Sequence, residues 1–136
     1  MITGGCLCGA VRYESDGIAL FSVLCHCRDC QRSSGSGHVP VMGVSKATFR
    51  VTGKTLAYTM VGGSQLKTTR HFCATCGSLL FGMPDVTPEM VSVYVGSLDD
   101  PNAFHPECAI FTRDRGQWDT SGIHLPGYET LPPAEP

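Results

Sequence analysis

The stretch Cys25-His26-Cys27-Arg28-Asp29-Cys30 places three thiols at i, i+2 and i+5. Packing alone does not ask for that density, because a cysteine side chain fills little more than a small apolar volume. A soft divalent metal does ask for it, since thiolates are the ligands zinc prefers. Three ligands are one short of a closed tetrahedron. Either another part of the chain closes the site, or the fourth position is left for a substrate.

On either side of this cluster the pattern is that of short strands and turns. Ile18 to Leu24 reads as a strand running straight into it, and the residues after Cys30 allow a single helical turn before Gly35 and Gly37 stop it. Upstream, residues 1–8 form a glycine-backed loop, followed by an alternating strand from Ala10 to Glu14 that ends at Ser15-Asp16-Gly17. Downstream, His38 to Gly43 is a strand whose Pro40 marks a sheet edge or a bulge. Ala47 to Val51 and Lys54 to Val61 flank Thr52-Gly53 and are expected to pair as a hairpin. Leu66 to Phe72, Ser78 to Gly82, Met90 to Gly96 and Cys108 to Thr112 complete the strands. The tail from Leu125, with Pro126, Pro132, Pro133 and Pro136, can cover a surface but cannot build a sheet interior. The expectation is one all-β domain over residues 1–124, with at most short helical turns and a proline-rich tail over 125–136.

Bulk composition agrees. At 136 residues the chain is long enough for a single core. Only 16% of its residues are charged, against a usual ~25%, and it carries 16 glycines and 9 prolines. A formal charge of −2 with no basic run offers no footprint for nucleic acid. The longest apolar run is too short to span a bilayer, and no basic-apolar-small leader opens the sequence. No membrane partner and a cytoplasmic location are expected.

Eight cysteines could form four disulfides. A chain with its own core and no export signal has little need of them, and seven of the eight thiols fall in tight clusters: Cys6/Cys8, Cys25/Cys27/Cys30 and Cys73/Cys76. Clusters suit a shared metal. Cys73-x-x-Cys76-Gly77 resembles a zinc knuckle, and with Cys6-x-Cys8 it makes the four-thiolate set of a closed structural site. If Cys6 to Cys8 is extended, both side chains face one way, with Gly4, Gly5 and Gly9 giving the loop its freedom.

Cys25, Cys27 and Cys30 then remain with three ligands, the count found in catalytic zinc sites. Three thiolates on a divalent ion leave a net negative charge, so nearby cations should matter. Arg28 and Arg32 are the local candidates, set against their reading as solvated surface arginines. The competing arrangement closes the site with Cys108. His26 lies between two ligands and should point away from the metal. His38, His71, His105 and His124 read as isolated core or surface histidines, and Trp118 as a core or lid aromatic.

Three strings carry a resemblance: Gly4-Gly5-Cys6-Leu7-Cys8-Gly9-Ala10-Val11-Arg12-Tyr13, Cys25-His26-Cys27-x-x-Cys30, and Phe72-Cys73-x-x-Cys76-Gly77-Ser78-x-Leu80. Together they resemble the glutathione-dependent formaldehyde-activating enzyme family, whose domain also occurs in centromere-protein-V-type proteins. Gly96-Ser97-Leu98-Asp99 and Trp118 match the later family pattern more loosely. The resemblance implies a β-tent of packed antiparallel sheets pinned by two zinc ions. It assigns Cys6, Cys8, Cys73 and Cys76 to a structural ion, and Cys25, Cys27 and Cys30 to a catalytic one. It also implies a carbon–sulfur lyase that joins a small aldehyde to a glutathione-type thiol, as in S-hydroxymethylglutathione. The alternative is a non-catalytic zinc-stabilised module that binds a thiol or a protein partner. The three-cysteine site is exposed enough to be oxidised, so its ion is expected to be partly occupied.

Overall fold

A computed structural model of the chain describes residues 1–134. Glu135 and Pro136, the end of the proline-rich tail, lie outside the described residues. Two sheets carry the molecule. The smaller takes β1 (Ile2–Gly5), β2 (Arg12–Ser15) and β5 (Arg50–Thr52) in the order β1-β2-β5, all antiparallel. The larger takes β3 (Phe21–Cys25), β4 (Val39–Ser45), β6 (Thr55–Val61), β7 (Lys67–Cys73), β8 (Leu79–Pro84), β9 (Met90–Tyr94) and β10 (Cys108–Ile110). Its order is β10-β3-β4-β9-β8-β7-β6. No helix among the described residues is long and apolar enough to cross a membrane.

Strand alternation gives the large sheet two cores. On β4, Met42 and Val44 join one cluster while Val39 and Val41 join the other, as a side-chain period of two requires. The first cluster lies with the small sheet and gathers Val11, Tyr13, Phe49, Leu80, Val91 and Val93. Val11, Leu80, Val91 and Val93 are wholly buried, each contributing about 1.5–3 kcal/mol. The second cluster gathers Val23, Tyr94 and Phe111, and with them Cys25 and Cys30. One set of thiols therefore touches each core.

The structure differs from the sequence reading in four places. First, β1 is a paired strand, not a loop, and the turn carrying Cys6 and Cys8 follows it. Second, β5 and β6 do not form a hairpin: β5 pairs with β2, and β6 pairs with β7. Gly53 between them has φ +94° and sits so close to the chain that an added Cβ would lie 2.1 Å from the Ala10 carbonyl oxygen. The turn there carries the chain from one sheet into the other. Third, the helical segment α1 (Arg28–Ser34) starts before Cys30 and runs for seven residues. Cys27 caps it by accepting the Cys30 N–H on its sulfur, at 3.2 Å, a role that usual N-cap residues would have signalled and cysteine does not. Fourth, β10 runs parallel to β3, an exception in otherwise antiparallel sheets. The tail then adds to the outer edge of β10, with Ala109 N–H donating to Pro126 O and Tyr128 N–H to Ala109 O, both at 2.9 Å.

Candidate metal centre

All eight cysteines are free thiols, and seven of them converge in two sets. Cys6, Cys8, Cys73 and Cys76 bring their sulfurs within 4.8 Å of one another. A tetrahedral ion with metal–sulfur bonds of about 2.3 Å would set its sulfurs about 3.8 Å apart. The Cys6 and Cys8 sulfurs are 3.6 Å apart and those of Cys8 and Cys73 are 3.8 Å apart. The donor set and its spacing fit such an ion. Each arm is a tight turn ending in a glycine with positive φ, Gly9 at +82° and Gly77 at +77°, which an L side chain would strain. These turns aim backbone donors at sulfur: Val11 N–H donates to Cys6 Sγ at 3.2 Å, and Thr75 N–H to Cys73 Sγ at 3.3 Å. Hydrogen bonds of that kind favour thiolate. Ser78 holds the Cys76 thiol down at about 5 through its hydroxyl and its N–H.

Cys25, Cys27 and Cys30 form the second set, with their sulfurs within 4.8 Å. β3 delivers Cys25, and the first turn of α1 returns Cys30 beside it. The Cys25 and Cys30 thiols donate to Cys27 and draw it down to about 3, while Cys25 is pushed far up by those contacts and by burial. The contacts thus favour the thiolate form at Cys27, and a divalent ion would displace the remaining protons. Cys108 lies outside both sets, half-buried on β10 opposite Val23. It supplies no fourth ligand.

The cation beside the three thiols is neither of the expected ones. Arg28 and Arg32 are exposed on α1. Arg70, from β7, is buried at 8% exposure. Burial works against its charge, but Tyr94, Cys30 and Cys27 around it more than offset that. Its Nε has no hydrogen-bond partner among the described residues. Nothing local in Thr69-Arg70-His71 signals this role; only the pairing of β7 brings it to the thiols. Beside them opens a cavity of about 410 Å³, whose wall includes Arg70, Tyr94 and Phe111, with Leu131 and Pro132 of the tail at its edge. Phe111 holds φ +53° there, a strained conformation for a bulky residue.

Among the histidines, His26 does point away from the thiols. It is fully buried, with Nδ1 3.5 Å from Asp119 Oδ2. His38, expected to be isolated, shares that carboxylate at 2.7 Å. His71 stacks on Phe81 at 4.7 Å, and His105 and His124 are exposed. Trp118 is neither core nor lid: it is 76% exposed and packs over Gly37, away from the thiol cavity.

Comparison with known proteins adds three findings. The family model described as "Glutathione-dependent formaldehyde-activating enzyme" matches residues 1–114. A protein of Halomonas elongata carrying the name "Putative glutathione-dependent formaldehyde-activating enzyme" is 26% identical over 112 residues, covering 79% of this chain and 71% of that protein. A crystal structure of a Rhodobacter sphaeroides protein superposes with a TM-score of 0.59 at 20% identity, over 93% of this chain and 98% of the other. That last likeness is one of fold.

Proposed function

This chain belongs to the glutathione-dependent formaldehyde-activating enzyme family, and on that premise we propose that it is a zinc-dependent carbon–sulfur lyase. Its substrates are a glutathione-type thiol and a small aldehyde, and its reaction centre is the set Cys25, Cys27 and Cys30. Cys6, Cys8, Cys73 and Cys76 hold a second, structural zinc. The observation that carries this reading is the three-thiol set opening on a cavity, with no fourth protein sulfur among the described residues.

Bound to those thiols, a zinc ion supplies a Lewis acid that favours the thiolate form of an incoming thiol. The chain's own residues do the rest. The buried guanidinium of Arg70 offsets negative charge gathered at the sulfurs. Cavity walls from β3, β4 and β10 are largely apolar, and held proximity makes addition effectively intramolecular. In the reaction the thiol sulfur attacks the carbonyl carbon and one C–S bond forms. The π pair of the carbonyl moves to oxygen, which takes up the proton the thiol has lost. Reversal breaks the same bond. Cysteines clustered as metal ligands and not paired as disulfides suit a reducing cytoplasm.

The test is thiol-dependent disappearance of formaldehyde, followed alongside the zinc content of the protein. Turnover that needs both zinc and Cys27 supports the reading. Binding of thiol without turnover of any aldehyde would reassign the chain as a non-catalytic zinc module.

A further inference from the structure

His26 lies between two of the clustered thiols in sequence but turns into a second group of side chains. It is wholly buried, and neither ring nitrogen has a hydrogen-bond partner among the described residues. Leaving a buried polar group unpaired costs about 1–3 kcal/mol. Its Nδ1 faces Asp119 Oδ2 at 3.5 Å, and His38 Nδ1 reaches the same oxygen at 2.7 Å. Asp119 is buried too, and its other oxygen accepts the Ser121 N–H at 3.0 Å. A proton on His26 Nδ1 would sit too far from Oδ2 for a good hydrogen bond. Without that proton, a lone pair faces an anion. A cation shared by the three atoms removes both difficulties.

The geometry points to a further metal site, separate from both thiol sets, in which His26, His38 and Asp119 hold a divalent transition metal such as zinc, iron(II) or cobalt(II). One ligand atom from each residue lies within 4.8 Å of the other two. Bonds of about 2.0–2.2 Å set neighbouring ligands about 2.8 to 3.6 Å apart in octahedral or tetrahedral geometry. The two separations from Asp119 Oδ2, 2.7 and 3.5 Å, nearly span that range. Two imidazoles with one carboxylate select such ions over magnesium or calcium, which prefer oxygen ligands. The charge of Arg115 also reaches His26, which disfavours an ion held by electrostatics alone. The three ligands come from separate places: the link between β3 and α1, the residue before β4, and a late loop. An ion there pins that loop to the segment carrying Cys25 and Cys27. Gly37 lets the chain pass close by, since a Cβ on it would lie 2.9 Å from Asp119 Oδ2. His38, with its side chain 19% exposed, marks the side from which an ion enters.

The test uses the full chain, saturated with zinc at its thiols and freed of loosely bound metal by buffer exchange, and titrates in cobalt(II). One further equivalent per chain is expected to bind, giving weak visible d–d bands. No sulfur-to-cobalt charge-transfer band should grow in the near ultraviolet, and protein-bound zinc should stay constant. Asp119→Asn should lose the added equivalent while keeping its zinc and its far-ultraviolet circular dichroism. His38→Gln, at the more exposed end of the group, should lose it as well, and it decides the matter if the buried variant does not fold. No uptake by the wild type would overturn the site. So would uptake that brings sulfur bands or releases zinc, and so would uptake unchanged in the variants. Each of these failures leaves the proposed thiol chemistry standing, because none of the readings depends on turnover.

Discussion

Cys27 and Cys73 present the same sulfur chemistry and tie together different amounts of chain. Cys73 is 1% exposed within the larger core cluster and joins β7 to a turn 65 residues earlier, through Cys8. Cys27 caps a short helix beside residues that are already its neighbours in sequence. Cys73→Ser should therefore lose the ~10 kcal/mol or more that metal binding contributes to folding, and unfold. Cys27→Ser should keep its far-ultraviolet circular dichroism and lose thiol-dependent turnover. Equal loss of structure from both changes would remove the division between the sites. Arg70 gives a separate prediction at this scale. A buried cation beside metal ligands typically tunes affinity by 10–100-fold, so Arg70→Met should weaken the ion at Cys25, Cys27 and Cys30 by about that factor. Competition with a chromogenic chelator would show it, with the four-thiol ion unaffected.

The contact between β2 and the turn after β9 shows how elements from different sheets are joined. Arg12 forms a two-pronged pair with Asp99, one prong being Nη1 to Oδ1 at 2.9 Å. Thr3 donates its hydroxyl to the same carboxylate at 2.6 Å, and Arg12 and Thr3 together hold the Asp99 carboxyl down at about 2. Nearby, Ser97 donates to Tyr94 O at 2.7 Å and so accepts from the Tyr13 hydroxyl at 2.6 Å. Tyr13→Phe should cost about 1 kcal/mol at neutral pH. Burial raises the Tyr13 phenol to about 12 in the folded chain, above its ordinary value near 10. The stability this gives is present below pH 10 and lost as pH rises through about 12, because the unfolded chain releases the proton first. Urea unfolding from pH 8 to 11 should show the gap between wild type and Tyr13→Phe closing, by up to about 1.4 kcal/mol per pH unit. A constant gap would show that Tyr13 is not buried in this way. Gly96-Ser97-Leu98-Asp99 was legible in sequence only as a loose match to the family pattern, because its partners Arg12 and Tyr13 lie more than 80 residues away. The same distance problem hid the pairing of β5 with β2. Thr52-Gly53 has a hairpin signature, and only the closeness of Gly53 to Ala10 shows that the chain changes sheets there.

Across the whole molecule, the thiol spacing and the strand alternation were readable because each is a local pattern. Seven cysteines could be divided by spacing alone, and the structure brings the same sets together. Arg70 and the pair His38 and Asp119 were not readable, since each is brought to its neighbours by sheet order or a late loop that no short motif encodes. The two metal sets lie against different cores of one large sheet, so their loss should differ in consequence as well as in ease. An ion at the three-thiol set would have fewer protein ligands and face a cavity, so a chelator should take it first and leave both sheets paired. An ion at the four-thiol set would clamp the turn after β1 to the turn after β7, and its removal should release the small sheet from the large one. Stepwise treatment with a zinc chelator, with metal content and circular dichroism read on the same samples, should give two stages. The first ion should leave with less than about a tenth of the ellipticity change, and the unfolding transition should accompany the second. A single stage, with structure lost in proportion to total metal, would mean that both ions hold the fold together.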